Sequence, residues 1–421
     1  ETSIAGLRFT LYKARISRYT FGFDFFVSTS GSCFMSPVLR RSVYTLAAGF
    51  ASVSIISAVR AAPQQSAGQG ATGSAQQTQK KDDRVGRKVI VTEAGAPLQT
   101  PKEVVWKAYL GETFTVSLTN GEWLWVAEKG GWLSQKQTVM FDNAITELTN
   151  KVRQQPTPEN YHLRGIAYSV HKQYDKAIAD FEASLRKRPN TAGVLNNRGQ
   201  VHYLQKNYDT AIKDFTAAVT NAPDHFIALN NRALCLIAKE EYDSAMRDLN
   251  AALKLNKEYP EALNNRGVVF SKKADYRAAI KDYSEALKID DKYIDAYGNR
   301  SFAYRQLKKF KEAMADLRTA MEKNPLDYKP VNDLAWVMAT AAERKVRDPR
   351  KALELATKAC QMTQYKNWNA LDTLAAAHAA NGDFKSAQQW VATAMEAAPE
   401  DKLDDLEEHM ELIQAKKPIV K

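Results

Sequence analysis

The chain has 421 residues, 44% of them apolar and 25% charged, with a formal net charge of +11. This composition is that of a soluble folded protein and excludes a globally disordered chain, and the length allows two compact units plus tails. Seven Lys/Arg against two Asp/Glu fall within 1–61, so the remainder carries only about +6, spread without basic clusters, which argues against a nucleic-acid partner.

Taken in chain order, the first feature is MSPVLRRSVYTLAAGFASVSIISAVRAAPQQ at 35–65. Arg40 and Arg41 form a positive end, 42–59 is an uncharged and mostly apolar run, and Val59 and Ala61 suit the small positions of a cleavage site. The sequence opens with Glu1, and Met35 is the expected initiator. Residues 1–61 are therefore read as an N-terminal extension with a signal peptide, cleaved near Ala61, or with 42–59 retained as a membrane anchor. Either outcome predicts an extracytoplasmic location, periplasmic or secreted. Residues 62–86, rich in Gln, Gly, Ala and Ser, cannot bury enough surface to offset their ordering entropy and are expected to form a disordered linker.

From 87 to 140 short β-rich runs follow one another: KVIVT (88–92), VVWKAY (104–109), ETFTVSLT (112–119), EWLWVAE (122–128) and GWLSQ (131–135). Phe114, Val116 and Leu118 alternate as if on one face of a single strand, and Asn120-Gly121 and Gly130-Gly131 supply turns. GEWLWV and GGWL resemble bacterial SH3-like domains. The resemblance implies a small β-barrel, with Trp106, Trp123, Trp125 and Trp132 either filling its core or lining a peptide or cell-wall-polymer site. Residues 141–157 read as a connecting helix.

After 158 the sequence repeats with a period of 34, in units 158–191, 192–225, 226–259, 260–293 and 294–327. Position 8 is small (Gly165, Gly199, Ala233, Gly267, Ser301), position 17 is aromatic, and position 20 is Ala177, Ala211, Ala245, Ala279 and Ala313. Position 24 is large, and Pro189, Pro223 and Pro325 end units at position 32. Apolar spacings of three and four mark two amphipathic helices per unit, neither able to close a core alone. Residues 328–367 continue the pattern with an insertion around ERKVRDPR (343–350), and 368–401 restore it. Residues 402–421 supply a capping helix and tail, with Leu403, Leu406, Met410 and Ile413 on one face.

The small-8, Ala-20, Pro-32 pattern resembles the tetratricopeptide repeat (TPR). The fold expected is mostly α: a TPR right-handed superhelical solenoid of about seven helix-hairpin repeats plus a capping helix, preceded by a small SH3-like β-barrel.

Position 7 is Arg164, Arg198, Arg232, Arg266 and Arg300, and position 23 is Asp180, Asp214, Asp248, Asp282 and Asp316. Both are lost together in the last two units, as Leu334 with Leu355 and Leu374 with Trp390. The joint switch predicts a structural ladder of Arg–Asp pairs, within a helix pair or across to the next repeat. The resemblance further implies that position 6, Asn197, Asn231, Asn265 and Asn299, faces a concave peptide-binding groove, where an amide can pair with any peptide backbone. Gln200, Leu234, Val268, Tyr203 and Arg305 join it there. Position 5 (His162, Asn196, Asn230, Asn264, Gly298) lacks the lysines with which some relatives grip acidic peptide tails.

The six histidines are scattered, and no nucleophile elbow, phosphate loop or metal-ligand grouping appears. Cys235 and Cys360 read as buried thiols, and Cys33 falls in the leader. The expectation is a non-enzymatic scaffold of the bacterial cell envelope that binds a protein or peptide, with no cofactor, metal or nucleic acid, in a cell-wall or membrane-associated complex. The alternative is a β module that binds a cell-wall polymer, with the repeats as spacer or oligomerisation surface.

Overall fold

The structure, a computed structural model, describes residues 82–420. The expected signal peptide or anchor, the expected cleavage site and the expected linker up to residue 81 lie outside the described residues.

Eight short antiparallel strands come first: β1 (Lys88–Val91), β2 (Ala96–Gln99), β3 (Val104–Ala108), β4 (Thr113–Thr115), β5 (Leu118–Asn120), β6 (Trp123–Val126), β7 (Gly131–Ser134) and β8 (Thr138–Met140). They form two sheets, ordered β4-β1-β8 and β3-β2-β7-β6-β5. Both contribute to one core, with Val89, Val91 and Phe114 meeting Leu98, Leu124, Val126 and Leu133. No ladder joins the sheets, so the closed barrel expected for 87–140 is corrected to two sheets sharing a core. The single strand expected at 112–119 is likewise two strands in different sheets. The chain changes partner at its middle, where Val116 N–H donates to the Arg87 carbonyl and Ser117 N–H to the Trp125 carbonyl. Phe114 and Val116 are buried as the alternation required, while Leu118 is only half-buried.

Sixteen α-helices follow among the described residues. Helix α1 (Ala144–Gln154) connects the β region to seven hairpins: α2 (Pro158–Val170) with α3 (Tyr174–Lys187), α4 (Ala192–Leu204) with α5 (Tyr208–Asn221), α6 (Phe226–Ala238) with α7 (Tyr242–Leu255), α8 (Pro260–Lys272) with α9 (Tyr276–Ile289), α10 (Ile294–Gln306) with α11 (Phe310–Lys323), α12 (Tyr328–Thr340) with α13 (Pro349–Met362), and α14 (Trp368–Ala380) with α15 (Phe384–Ala397). Helix α16 (Leu403–Gln414) closes the stack, burying Leu406 and Ile413.

The helix boundaries follow from local chemistry. Pro158, Pro260 and Pro349 stand at first turns, where the missing N–H costs nothing. In the first five units each hairpin turn puts position 15 in the left-handed region: Lys172, Lys206, Glu240, Ala274 and Lys308, with φ between 59° and 63°. In the seventh unit the same position is Gly382. The turn then closes with a bond from the next N–H back five residues, as from Gln173 to Tyr168 at 2.8 Å.

Within a hairpin, position 8 decides how closely the helices approach. A Cβ built on Gly165 would lie 2.6 Å from a ring carbon of Phe181, and one on Gly199 2.9 Å from Phe215. The aromatics fill the space that the glycines vacate. First helices touch one another from unit to unit, and no contact of comparable extent joins second helices, so the array curves with its first helices inside.

Candidate functional site

The inner face is built on the first helices, and two hydrogen-bonded ladders run through it. In the first, every position-7 arginine grips the position-23 aspartate of its own unit with both Nε and Nη2. The distances are 2.6 and 2.7 Å for Arg164–Asp180, 2.8 and 2.6 Å for Arg198–Asp214, and 2.7 Å twice for Arg232–Asp248. They are 2.7 and 2.9 Å for Arg266–Asp282, and 2.8 and 2.7 Å for Arg300–Asp316. In units 3 to 5 the guanidinium also reaches position 25 of the preceding unit: Arg232 to Thr216, Arg266 to Asn250 and Arg300 to Ser284. The carboxylates are buried (side chains 7–10% exposed) and the arginines less so, at 17–25%. Planar two-point pairing fixes the angle between the helices as well as their separation.

The second ladder is made of asparagines. Position 6 of each unit donates from its amide nitrogen to position 5 of the unit before: Asn231 to Asn196 at 3.0 Å, Asn265 to Asn230 at 2.8 Å and Asn299 to Asn264 at 2.9 Å. Position 5 in turn donates to its neighbour at position 6, as from Asn196 to Asn197 at 3.2 Å. The chain ends at His162, whose Nε2 lies 3.0 Å from Asn197 Nδ2. Burial pushes the His162 imidazole down to about 4, with Glu159 opposing, so the ring is neutral at pH 7 and Nε2 accepts. Asn197, Asn231, Asn265 and Asn299 therefore do not stand open on the groove. Each spends one amide hydrogen on a neighbouring repeat and keeps one.

The other expected groove positions are brought to the same face with graded exposure. Gln200 is exposed, and Leu234, Val268 and Tyr203 are half-buried; Phe302, which stands at position 9 of unit 5 as Gln200, Leu234 and Val268 do in units 2 to 4, is 44% exposed. Arg305 is half-buried, and burial lowers its basicity against the pull of Asp333.

Profiles described as tetratricopeptide repeat match residues 162–226, 260–293 and 294–325, and one described as TPR repeat matches 234–274. Within 162–325 the array is built of tetratricopeptide repeats. Among solved structures, the TPR array is similar to Cut9–Hcn1, an APC/C hetero-tetramer, with 19% identity and a TM-score of 0.51. The match covers 56% of this chain and 46% of that one, so this chain spans under half of that relative. A TPR protein from Parabacteroides merdae matches at 17% identity over 61% of this chain and 98% of its own, with a TM-score of 0.44. YrrB, described as a TPR protein with an unusual peptide-binding site, matches at 18% identity over 44% and 96%, with a TM-score of 0.36. No curated protein matches the chain.

The β region occupies part of the space inside the TPR curve. At unit 1, a Cβ on Gly111 would fall 2.7 Å from Ile166, and Phe141 stacks on His171 with ring centres 4.1 Å apart. At the junction of units 4 and 5, Lys292 donates to the Glu128 carbonyl at 2.8 Å, and Lys129 lies 3.7 Å from Asp290 while sitting over the Trp106 ring. Burial with the nearby Glu261 and Glu112 charges pushes the Tyr109 phenol up to about 12. Burial raises the Glu261 carboxyl as well, and its Oε2 has no hydrogen-bond partner among the described residues.

At the other end of the TPR array the inner face is open. A cavity of about 290 Å³ there is lined by Arg305, Asn332, Asp333, Trp336, Trp368, Asn369, Asp372, Asp405, Leu406 and His409. Of these only Arg305 was singled out as a groove residue from sequence. The others belong to units 6 and 7 and to the capping helix, outside the five unbroken repeats from which the groove positions were read.

The buried thiols Cys235 and Cys360 are both pushed up to about 12 by burial, which leaves them protonated at neutral pH.

Proposed function

We propose that the protein is a non-enzymatic interaction scaffold that holds an extended segment of a partner protein on the inner face of its TPR array. The observation that carries this reading is the character of the face: Phe302, 44% exposed, and half-buried Val268 lie on the same first helices as the asparagine ladder, of which Asn197, Asn231 and Asn299 remain half-buried. Apolar side chains for a partner's side chains and regularly spaced donors for its backbone are what an extended segment requires. The leader-like stretch at 35–65 supports a place in the cell envelope.

A second reading keeps the β region, with its SH3-like tryptophans, as a cell-wall-polymer site. Trp123 and Trp125 favour it, since they share one face of β6 and remain half-buried while Trp132 is buried. Photo-crosslinking from the full chain in its native host separates the two. A photoreactive residue at Phe302 captures a protein if the array is the binding element. Capture of polymer at Trp123, with none at Phe302, transfers the role to the β region.

A further inference from the structure

The asparagine ladder has a defined end, and what lies beyond it is chemically different. Its last rung joins Asn299 to Asn264. The next would need a side chain at position 5 of unit 5, where Gly298 stands with nothing within 4 Å of a built Cβ. At position 6 of unit 6 the ladder's asparagine is replaced by Asp333, which cannot donate. Asn332 still occupies position 5 of unit 6, and its amide bonds to Asp333. Its Oδ1 should then accept from position 6 of unit 7, but Thr373 stands there and bonds to the Asn369 carbonyl at 3.0 Å. Asn332 is 2% exposed and its Oδ1 is left without a partner.

The capping helix adds a second orphan. His409, 4% exposed, has Nδ1 2.9 Å from Asp372 Oδ1, while Nε2 is buried and unpartnered. Both residues line the 290 Å³ cavity together with Trp336 and Trp368. The cavity wall holds three carboxylates, Asp333, Asp372 and Asp405, against one guanidinium, Arg305. Burial raises the Asp333 carboxyl despite Arg305, so the arginine does not fully compensate it. An unfilled acceptor at Asn332, an unpartnered ring nitrogen at His409, more carboxylates than guanidinium and two indoles in one cavity are complementary to a cation that donates several hydrogen bonds.

We infer that this cavity is a specificity pocket for a cationic side chain, arginine or lysine, presented by the polypeptide that the TPR array holds. The inference rests on the scaffold reading above and adds what that partner must carry. The volume accommodates one long side chain, with its head toward Asn332, Asp333 and His409 and its stem along the indoles. The ladder thus has two regimes: closed on itself through units 1 to 5, and open to a ligand where Gly298 and Thr373 interrupt it.

The test uses the full chain and three blocked tripeptides, Ac-Ala-Arg-Ala-NH2, Ac-Ala-Lys-Ala-NH2 and Ac-Ala-Glu-Ala-NH2, with a citrulline peptide as the uncharged analogue of arginine. The indole Nε1–H signals of Trp336 and Trp368, assigned by Trp→Phe variants, report occupancy by NMR. Shifts with the arginine or lysine peptide, at least tenfold weaker binding of citrulline, and a tenfold loss in Asp333→Asn are the expected results. Asp333→Asn leaves the His409–Asp372 contact intact, and a thermal midpoint no lower than that of the parent shows that it folds. Preference for the glutamate peptide, or equal binding of citrulline, overturns the pocket. A cation-free partner segment captured at Phe302 with no indole shift also overturns it, yet leaves the scaffold reading standing.

Discussion

The Gly267 backbone lies so close to the Tyr283 ring that a methyl group at Gly267 would sit 2.6 Å from Cε1. The pairing is reciprocal along the array: glycine at position 8 meets an aromatic at position 24 in units 1, 2 and 4, whereas Ala233 faces Leu249 and Ser301 faces Leu317. Gly267→Ala is expected to destabilise the protein by about 1–2 kcal/mol, the overpacking cost less the gain in helix propensity. In a Tyr283→Leu background the same substitution becomes neutral or stabilising by up to about 1 kcal/mol. Urea unfolding of the four proteins measures this sign reversal, and a fixed sign in both backgrounds contradicts it.

Arg232 and Asp248 offer a double-mutant cycle. Replacing Asp248 by leucine strands a guanidinium that also contacts Thr216, and replacing Arg232 strands a buried carboxylate. Each single change should cost about 2–3 kcal/mol, below the fully buried case because the Arg232 side chain is 21% exposed. The double mutant should cost clearly less than the two together, with a coupling of about 1–2 kcal/mol. Strict additivity would mean that the pair contributes nothing as a pair.

His162 makes the ladder's N-terminal end sensitive to acid. Its folded-state value of about 4 lies below the ordinary 6.5, so the unfolded chain binds the proton more readily. The associated stability is fully present above pH 6.5 and is lost as pH falls toward 4, a change of about 3 kcal/mol by linkage. His162→Gln should flatten that portion of the pH–stability curve while leaving the region above pH 7 nearly unchanged.

Glu261 has the opposite sense. Burial raises its carboxyl, so the folded state favours the protonated form, and the cost of the ionised form grows as pH rises through the raised value. Glu261→Gln is therefore expected to increase the thermal midpoint at pH 7 and to have little effect at pH 3. A fall at pH 7 would show that the carboxylate is held by a favourable partner.

Ala274 occupies the left-handed turn of unit 4 at φ 60°, exposed to solvent. Ala274→Gly should stabilise by about 0.5–1 kcal/mol, because glycine adopts that conformation without strain. An unchanged or lower midpoint in urea refutes it.

The helical array was readable because a period of 34 reports five times on the same contacts. Small residues at 8 and 20 and the joint loss of positions 7 and 23 each have a geometric counterpart in the structure. Adjacent Asn-Asn pairs are equally visible in the sequence. That position 6 bonds back to position 5 of the preceding unit was not, since the distance between neighbouring first helices is a tertiary quantity. The β region was less legible. Strands of three to five residues leave too few alternations to show where the chain changes sheets, as it does at Val116–Ser117. The terminal cavity escaped for another reason: His409 and Asp372 meet across 37 positions, a spacing that occurs once.

A stack of repeats ordinarily touches only its nearest neighbours, so it can fray or stretch one unit at a time. Here the β region holds unit 1 through Ile166 and the end of unit 4 through Asp290 and Lys292, acting as a strut across the spring. The first four hairpins should consequently open as one block in native-state hydrogen exchange. Units 6 and 7 lie beyond the strut and share one continuous core with the capping helix, from Leu334 and Ala375 to Ile413, so they should open as a second block of their own.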